Sequence, residues 1–237
     1  MNNYWHTYSS DLVVWEMRLP CRPGDSNYRQ WERTVLDSGE AHAVYQVAET
    51  LWTYPLDYKR DRDGYLGDVL DARPEILDPP GEDPRLVFSL GLLAGARLAY
   101  IDTNDEIREA ETTNLPDLPD IKPHPDQFWD AQPPLKFLAG VDDEGVWAVV
   151  STFTTIWLPW QPNIEWAFDA PEDALLDNRA LAERHTPRLN AYLTDIAVAA
   201  EKIGGWLRLD RDETIPELLP FITDRGVHMD FPEPRQV

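Results

Sequence analysis

Two apolar segments joined by four polar residues constrain the fold of this chain more than any other feature. Leu135 to Val141 and Val146 to Trp157 flank the sequence Asp142-Asp143-Glu144-Gly145, which suits a hairpin loop with glycine where a positive φ is needed. The second segment is apolar or rich in threonine on both faces, as is typical of a strand with neighbours on both sides. The pattern therefore predicts an antiparallel hairpin near the centre of a sheet.

The same period of two predicts further strands. Ile164 to Phe168 alternates apolar and polar residues, which extends the hairpin into a central meander over about residues 135–168. Asp11 to Leu19 alternates in the same way, so one face of this strand is expected to be buried and the other wet. Trp206 to Leu209 has the length and composition of a short strand.

Apolar residues at helical spacing predict two helices in the first quarter of the chain. The segment from Asp25 to Val35 repeats large apolar residues every three or four positions. Asp37, followed three residues later by Glu40, has the spacing of a capping box and predicts a second helix that ends before Pro55.

Two more helices are predicted near the carboxyl end. A capping box at Asp169 predicts a helix to about residue His185, whose imidazolium would interact with the free carbonyls at the helix end. Thr186 followed by Pro187 predicts the start of the next helix, which Gly204 ends. Leu86 to Ile101 fits both a helix and a strand. The predicted fold class is α+β, with an antiparallel sheet, a central meander and helices packed mainly on one face.

The chain is expected to form a single domain over residues 1–237, because a chain of this length buries about 70% of its surface on folding. Residues 102–134 differ in composition, with nine acids, two bases and six prolines in 33 residues. Proline cannot donate to a ladder or continue a helix, so this stretch is predicted to be a mobile, extended connection on the surface.

The charge balance excludes some partners and favours others. Forty-three acids oppose twenty-one bases, which gives a net charge of -22. Such a surface repels the phosphates of nucleic acid and anionic lipid, and it attracts a basic protein. The alternative is that the charge only keeps the protein dispersed.

Cysteine and histidine usage predicts neither a metal site nor a disulfide. Cys21 is the single cysteine, and the five histidines are not spaced to converge on a zinc ion. Leu86 to Ala96 is the longest apolar run at eleven residues, against about twenty for a membrane span, and no secretory signal is visible. The expectation is a cytoplasmic protein that needs no cofactor and touches no membrane.

Two segments are candidates for a binding site. Within the acidic stretch, the candidate residues are Asp105, Glu106 and Glu109. Within a proline-pinned aromatic connection, they are Trp157, Trp160, Glu165 and Trp166. Rigid rings beside acids suit an anchor for a basic partner through stacking and cation–π contacts, and they also suit a sugar platform. The competing interpretation is that the rings fill the core.

These features favour a non-enzymatic acidic protein that neutralises or sequesters a basic protein partner, as inhibitors and immunity proteins do. No nucleophile elbow, phosphate loop or dinucleotide fingerprint is present. Two alternatives remain open. One is a hydrolase, which would require carboxylates such as Asp61 and Asp63 to converge with another acid, and the other is a small-ligand or sugar-binding domain.

Overall fold

The computed structural model describes residues 11–22, 25–42, 44, 50–53, 58–61, 85–91, 97–111, 119–120, 135–152, 155–162 and 175–230. Two α-helices lie within these residues, α1 at Ser26–Ala41 and α2 at Arg179–Lys202. The strands, in chain order, are β1 Val13–Leu19, β2 Thr50–Thr53, β3 Tyr58–Asp61, β4 Arg85–Gly91, β5 Arg97–Ile101, β6 Ile107–Glu111, β7 Leu135–Asp142, β8 Gly145–Thr152, β9 Trp160–Pro162, β10 Leu175–Asp177, β11 Trp206–Asp210, β12 Ile222–Thr223 and β13 Gly226–Val227. Two 3-10 turns, Thr155–Trp157 and Pro216–Phe221, complete the described elements.

In the part of the chain that the structure describes, seven strands form one sheet in the order β11-β1-β8-β7-β4-β2-β3. Every pairing between them is antiparallel. This confirms the predicted α+β class with an antiparallel sheet. Strand β8 lies in the interior of the sheet, between β7 and β1, because both of its faces carry residues that fit an enclosed position.

The hairpin β7–β8 confirms the interpretation of its turn. Asp142 pairs with Gly145, so only Asp143 and Glu144 lie outside the ladder, and Gly145 has a φ of 139°. A Cβ at this glycine would lie 2.3 Å from the carbonyl oxygen of Leu19, which leaves no room for a side chain. The carboxylate of Asp142 accepts the N–H of Glu144 at 2.9 Å and closes the turn.

The strand that pairs with the free side of β8 is β1, from the start of the chain, and not a strand that follows β8 in sequence as the predicted meander requires. Val13 of β1 pairs with Thr152, and Leu19 pairs with Val146. Strand β8 ends at Thr152 and not near residue 157, since β1 and β7 offer no partner beyond this point and the chain turns into a 3-10 helix. Residues 164–168, the predicted third strand of the meander, lie outside the described residues.

The inner face of the sheet and the two helices enclose the main core. Trp15 and Met17 of β1 are fully buried, while the alternate residues Glu16 and Arg18 are half-buried on the opposite face. Trp31 of α1 contacts this inner face, where its indole nitrogen lies 3.2 Å from the sulfur of Met17. The buried stripe of α2 belongs to the same core and consists of Leu189, Tyr192, Leu193, Ile196 and Ala200.

The first helix is longer than predicted. It passes through Asp37 without a break, because the buried stripe continues through Ser38, whose hydroxyl donates to Asp195 on α2 at 2.9 Å. His42 contacts the same carboxylate at 2.8 Å, so the end of α1 is fastened to α2. The second predicted helix is therefore wrong as a separate element: its described start belongs to α1, and Thr50–Thr53 near its predicted end is strand β2.

Helix α2 joins the later part of the helix predicted from Asp169 to the helix predicted from Thr186, but Leu175–Asp177, predicted to be helical, is strand β10. The helix runs through Pro187, although proline inside a helix costs about 3 kcal/mol. Leu181, Ala182 and His185 lie before the proline and are fully buried, so the helix continues because ending it there would expose them. The predicted end at Gly204 is confirmed, with a φ of 86° just beyond Lys202.

Within the range 86–101, which fitted both a helix and a strand, the described residues 86–91 belong to β4 and 97–101 form β5. Strand β5 leaves the main sheet and pairs with β6 as a separate hairpin. Residues 102–111 therefore do not form the extended connection predicted from their composition, and the prolines that motivated it begin only at Pro116. Tyr58–Asp61 forms strand β3 at the edge of the sheet.

Candidate functional site

A buried aspartate organises the turn between β5 and β6. Asp102 is 1% exposed, and its Oδ1 accepts the N–H groups of Asn104 at 2.8 Å and Glu106 at 2.9 Å. Its Oδ2 accepts from the guanidinium of Arg108 at 3.2 Å. The N–H of Glu106 is the main reason that the pKa of Asp102 lies below its usual value, so this carboxylate is charged and holds the turn.

The three predicted acids lie in this hairpin, Asp105 and Glu106 at the turn and Glu109 on β6. Asp105 has a φ of 62°, and its N–H donates to the carbonyl of Asp102 at 3.0 Å. The side chains of Asp105, Glu106 and Glu109 are all exposed, and Glu106 forms an ion pair with Arg108. One short hairpin therefore carries all three acids on the surface, with Glu106 and Glu109 on opposite faces because side chains alternate. Whether they bind a partner stays a prediction.

The hairpin is fastened to the rest of the molecule by polar contacts. The N–H of Ala99 donates to Nε2 of His185 on α2 at 2.9 Å. On the other strand end, the N–H of Thr103 donates to the carbonyl of Asp120 at 2.8 Å, and the hydroxyl of Tyr100 donates to the Asp120 carboxylate at 3.1 Å. The carboxylates are thus held at a fixed place relative to α2.

The two tryptophans of the aromatic connection that the structure describes do not lie on the surface. Trp157 is 0% exposed and Trp160 is 5% exposed, so the surface contact predicted for both rings is wrong. Asn178, just before α2, explains their position: its side-chain amide donates to the carbonyls of Thr155 and Leu158 and draws the segment against the helix start. Glu165 and Trp166 lie outside the described residues.

Each of these rings packs against a residue of α2. The edge of Trp157 meets the ring of His185 with 5.5 Å between centroids. The guanidinium of Arg179 lies 4.6 Å from the ring centroid of Trp160 and covers it. A cation–π contact does form here, but the cation comes from this chain and not from a partner.

His185 joins the two candidate segments inside the protein. Its Nε2 accepts from the hairpin, its ring contacts Trp157, and its Nδ1 faces the guanidinium of Arg188. Burial, and to a smaller extent the charge of Arg188, places the pKa of His185 well below 6.5. The ring is therefore neutral in the folded protein.

The predicted role of His185 at a helix end is wrong because α2 continues past it. The sequence carried a signal for its real position. Leu181, His185 and Leu189 are four residues apart, so the histidine belongs to the apolar stripe of the helix.

The outer face of the sheet holds one further feature that sequence reasoning missed. An open depression of ≈ 210 Å³ is lined by Glu16, Arg18, Asp142, Trp147 and Val149. Arg18 bridges Glu16 at 3.2 Å and Asp142. The ring of Trp147 lies directly over Gly140 of β7, where a Cβ would be 2.2 Å from the ring. This tryptophan shields a glycine in the neighbouring strand, which accounts for its position without a ligand.

Two other expectations concern metals and membranes. Within the ranges that the structure describes, no three residues among histidine, cysteine, aspartate and glutamate are grouped to hold a metal ion. Over the same ranges, neither helix has the length and apolarity needed to cross a bilayer. For the hydrolase alternative, Asp61 lies on the edge strand β3, whereas Asp63 is outside the described residues.

The chain was compared with protein-family models, with curated proteins and with solved structures, and none of the three comparisons returns a match.

Proposed function

We propose that this chain is a non-enzymatic, cytoplasmic binding protein that neutralises or sequesters a basic protein, in the manner of an inhibitor or an immunity protein. The observation that carries the proposal is the β5–β6 hairpin, on which Asp105, Glu106 and Glu109 are all exposed. The proposed surface does not include Trp157 and Trp160, because both rings are buried.

The electrostatics of the chain support this proposal. A net charge of -22 creates a long-range field that accelerates encounter with a basic protein and opposes encounter with nucleic acid. Salt screens this field over about 8–10 Å, so a charge-driven complex forms more slowly as ionic strength rises.

The rigidity of the hairpin supports a binding role for these particular acids. Asp102 fixes the turn through two N–H groups and Arg108, so the backbone that carries Asp105 and Glu106 is held before any partner arrives. A preorganised surface loses less conformational entropy on binding than a flexible one. Acids that only keep a protein dispersed do not require such a support.

The test uses the whole chain as bait in native lysate at about 50 mM and about 500 mM salt, two conditions that differ strongly in screening. The hairpin variant carries Asp105→Asn, Glu106→Gln and Glu109→Gln. A matched control, Asp212→Asn with Glu213→Gln and Glu217→Gln, removes the same number of charges from exposed positions after β11. We expect basic proteins to be retained by the wild type and the control at low salt and lost by the hairpin variant.

Any retained protein is then purified and its kinetics measured. The hairpin variant should slow association and flatten its salt dependence, while the control variant should behave as the wild type does. Equal binding by both variants would show that net charge alone attracts the partner. Failure of the wild type to retain any basic protein would contradict the function itself.

A further inference from the structure

The orientation of one backbone group shows which edge of the β5–β6 hairpin is open. The N–H of Ala99 points to His185 on α2, and therefore away from β6. Ala99 pairs with Glu109 across the ladder. In an antiparallel pair of strands, two directly opposed residues either both direct their backbone N–H and carbonyl groups toward the other strand or both direct them away from it. The N–H and carbonyl of Glu109 consequently point away from β5.

The alternation extends along the strand. Asp102 donates its N–H to the carbonyl of Glu106, so the backbone groups of this pair are directed toward each other. In the next pair, Ile101 with Ile107, the backbone groups are therefore directed away from the partner strand. Among the residues that the structure describes, the outward N–H groups of Ile107 and Glu109 have no hydrogen-bond partner. Strand β6 thus presents an unpaired edge directly beside the exposed carboxylates.

The other described edge near the core is treated differently. On β11, the N–H of Leu209 donates to the side chain of Asp224 at 3.1 Å, which occupies the position that an added strand would need. Proteins commonly protect their edges in this way. On β6 the corresponding groups of Ile107 and Glu109 remain available.

We propose that the basic partner binds by adding an extended segment of its own chain as a strand along the β6 edge. This inference rests on the proposed function and specifies how its site works. Main-chain hydrogen bonds to Ile107 and Glu109 supply the register, and the carboxylate of Glu109 selects a cation opposite it.

The side chains of β6 define the pattern of the incoming segment. Glu109 and Arg108 lie on opposite faces of the strand because side chains alternate. A lysine or arginine is favoured opposite Glu109, and it is disfavoured opposite the cationic Arg108. The segment therefore places a cation opposite Glu109 and an uncharged residue opposite Arg108.

A defined peptide tests this mode of binding. The probe is a fluorescent, end-capped Lys-Val-Lys-Val-Lys peptide, and the control is the same peptide with every backbone amide methylated. Methylation keeps the charges and removes the hydrogen bonds that a strand needs. Anisotropy gives the affinity, and amide exchange measured by NMR shows whether Ile107 and Glu109 become protected. We expect protection of both amides and binding of the unmethylated peptide only.

Two variants at Glu109 separate the contribution of the backbone N–H to peptide binding from that of the carboxylate charge. Glu109→Gln removes the carboxylate and keeps the N–H, whereas Glu109→Pro removes both without touching an inward-pointing bond to β5. The proline variant should bind about tenfold more weakly than the glutamine variant if main-chain bonds contribute. If the amides of Tyr100 and Arg108 stay protected from exchange in the proline variant, its hairpin is intact. If that protection is lost, strand addition is judged from the methylated peptide and the wild-type protein.

The outcomes distinguish this inference from the function it rests on. If the methylated peptide binds as well as the parent peptide, or if neither binds, strand addition is wrong. The edge charges then serve only to keep copies of this chain apart. In that case, retention of basic proteins by the wild type and not by the hairpin variant would still support the proposed function.

Discussion

The acidic hairpin and the aromatic connection form an instructive pair, because sequence reasoning assigned both to one binding surface. The hairpin keeps Asp105, Glu106 and Glu109 in solvent, whereas the connection places Trp157 and Trp160 inside. The two segments do meet, but they meet at the buried ring of His185. Acidic side chains are exposed because burying an unpaired charge is costly, and no comparable penalty keeps an aromatic ring outside.

The two segments are also stabilised by different interactions. The connection is held by apolar burial, together with the carbonyl contacts of Asn178. Strand β5 of the hairpin is also buried in the main core, through Ala99, Tyr100 and Ile101, whereas the turn of the hairpin depends on the polar contacts around Asp102. Substitutions in the connection should therefore affect global stability, and those in the turn of the hairpin should act locally.

The largest effect is expected for Trp157→Ala. Removing a fully buried indole costs about 3–5 kcal/mol of the free energy of unfolding, because the cavity is not refilled. Urea titration followed by circular dichroism measures this change. Glu109→Gln in the exposed hairpin serves as the control and should change stability by less than about 0.5 kcal/mol. A loss below that value for Trp157→Ala would mean that the ring is peripheral.

The sequence predicts an element well when one of its sides is exposed to solvent, because the alternation of apolar and polar residues then marks it locally. Strand β1 and the β7–β8 hairpin were predicted within a few residues, because alternation and Gly145 specify them locally. The continuity of α2 through Pro187 was not predicted. Local helix signals favour a break there, and only the burial of Leu181 and His185 overrides them.

The candidate site shows the same limit. The exposure of Asp105, Glu106 and Glu109 follows from their chemistry, although their place on a paired hairpin does not, since strand β6 ends just before the prolines that dominate the composition. The burial of Trp160 depends on Arg179, which lies nineteen positions away in sequence. No local pattern reports a contact of that kind.

The second prediction concerns pH and the residue that joins the two segments. His185 is neutral in the folded protein, with a pKa well below 6.5, whereas in the unfolded chain it titrates near about 6.5. Below that pH the unfolded state binds a proton that the folded state does not. Stability is therefore complete above about pH 7 and falls by up to about 1.4 kcal/mol for each pH unit below about 6.

Urea titrations at pH 7.5, 6 and 5, followed by tryptophan fluorescence, measure how the free energy of unfolding changes with pH. The matched variant is His185→Gln, whose side-chain carbonyl can accept the Ala99 N–H without titrating. The slope between pH 7 and 5 should be flatter in this variant. An unchanged slope would assign the acid sensitivity to other groups, since the carboxylates of Asp142, Asp177 and Asp195 have lowered pKa values and titrate at lower pH.

The smallest global effect is expected for Asp102→Asn, which tests whether the hairpin is an independent local unit. Asparagine retains one oxygen acceptor for the N–H groups of Asn104 and Glu106, but it loses the charge that pairs with Arg108. We expect faster amide exchange at Asp102 and Arg108 and no measurable shift of the urea midpoint, because the substitution keeps the shape of the side chain and removes no apolar contact. The pKa of Asp102 lies below its usual value, so the wild type should approach the variant's exchange rates only at a pH below the ordinary range for an aspartate. A shift of the global midpoint comparable to that of Trp157→Ala would show that hairpin and connection unfold together, and the contrast between them would fail.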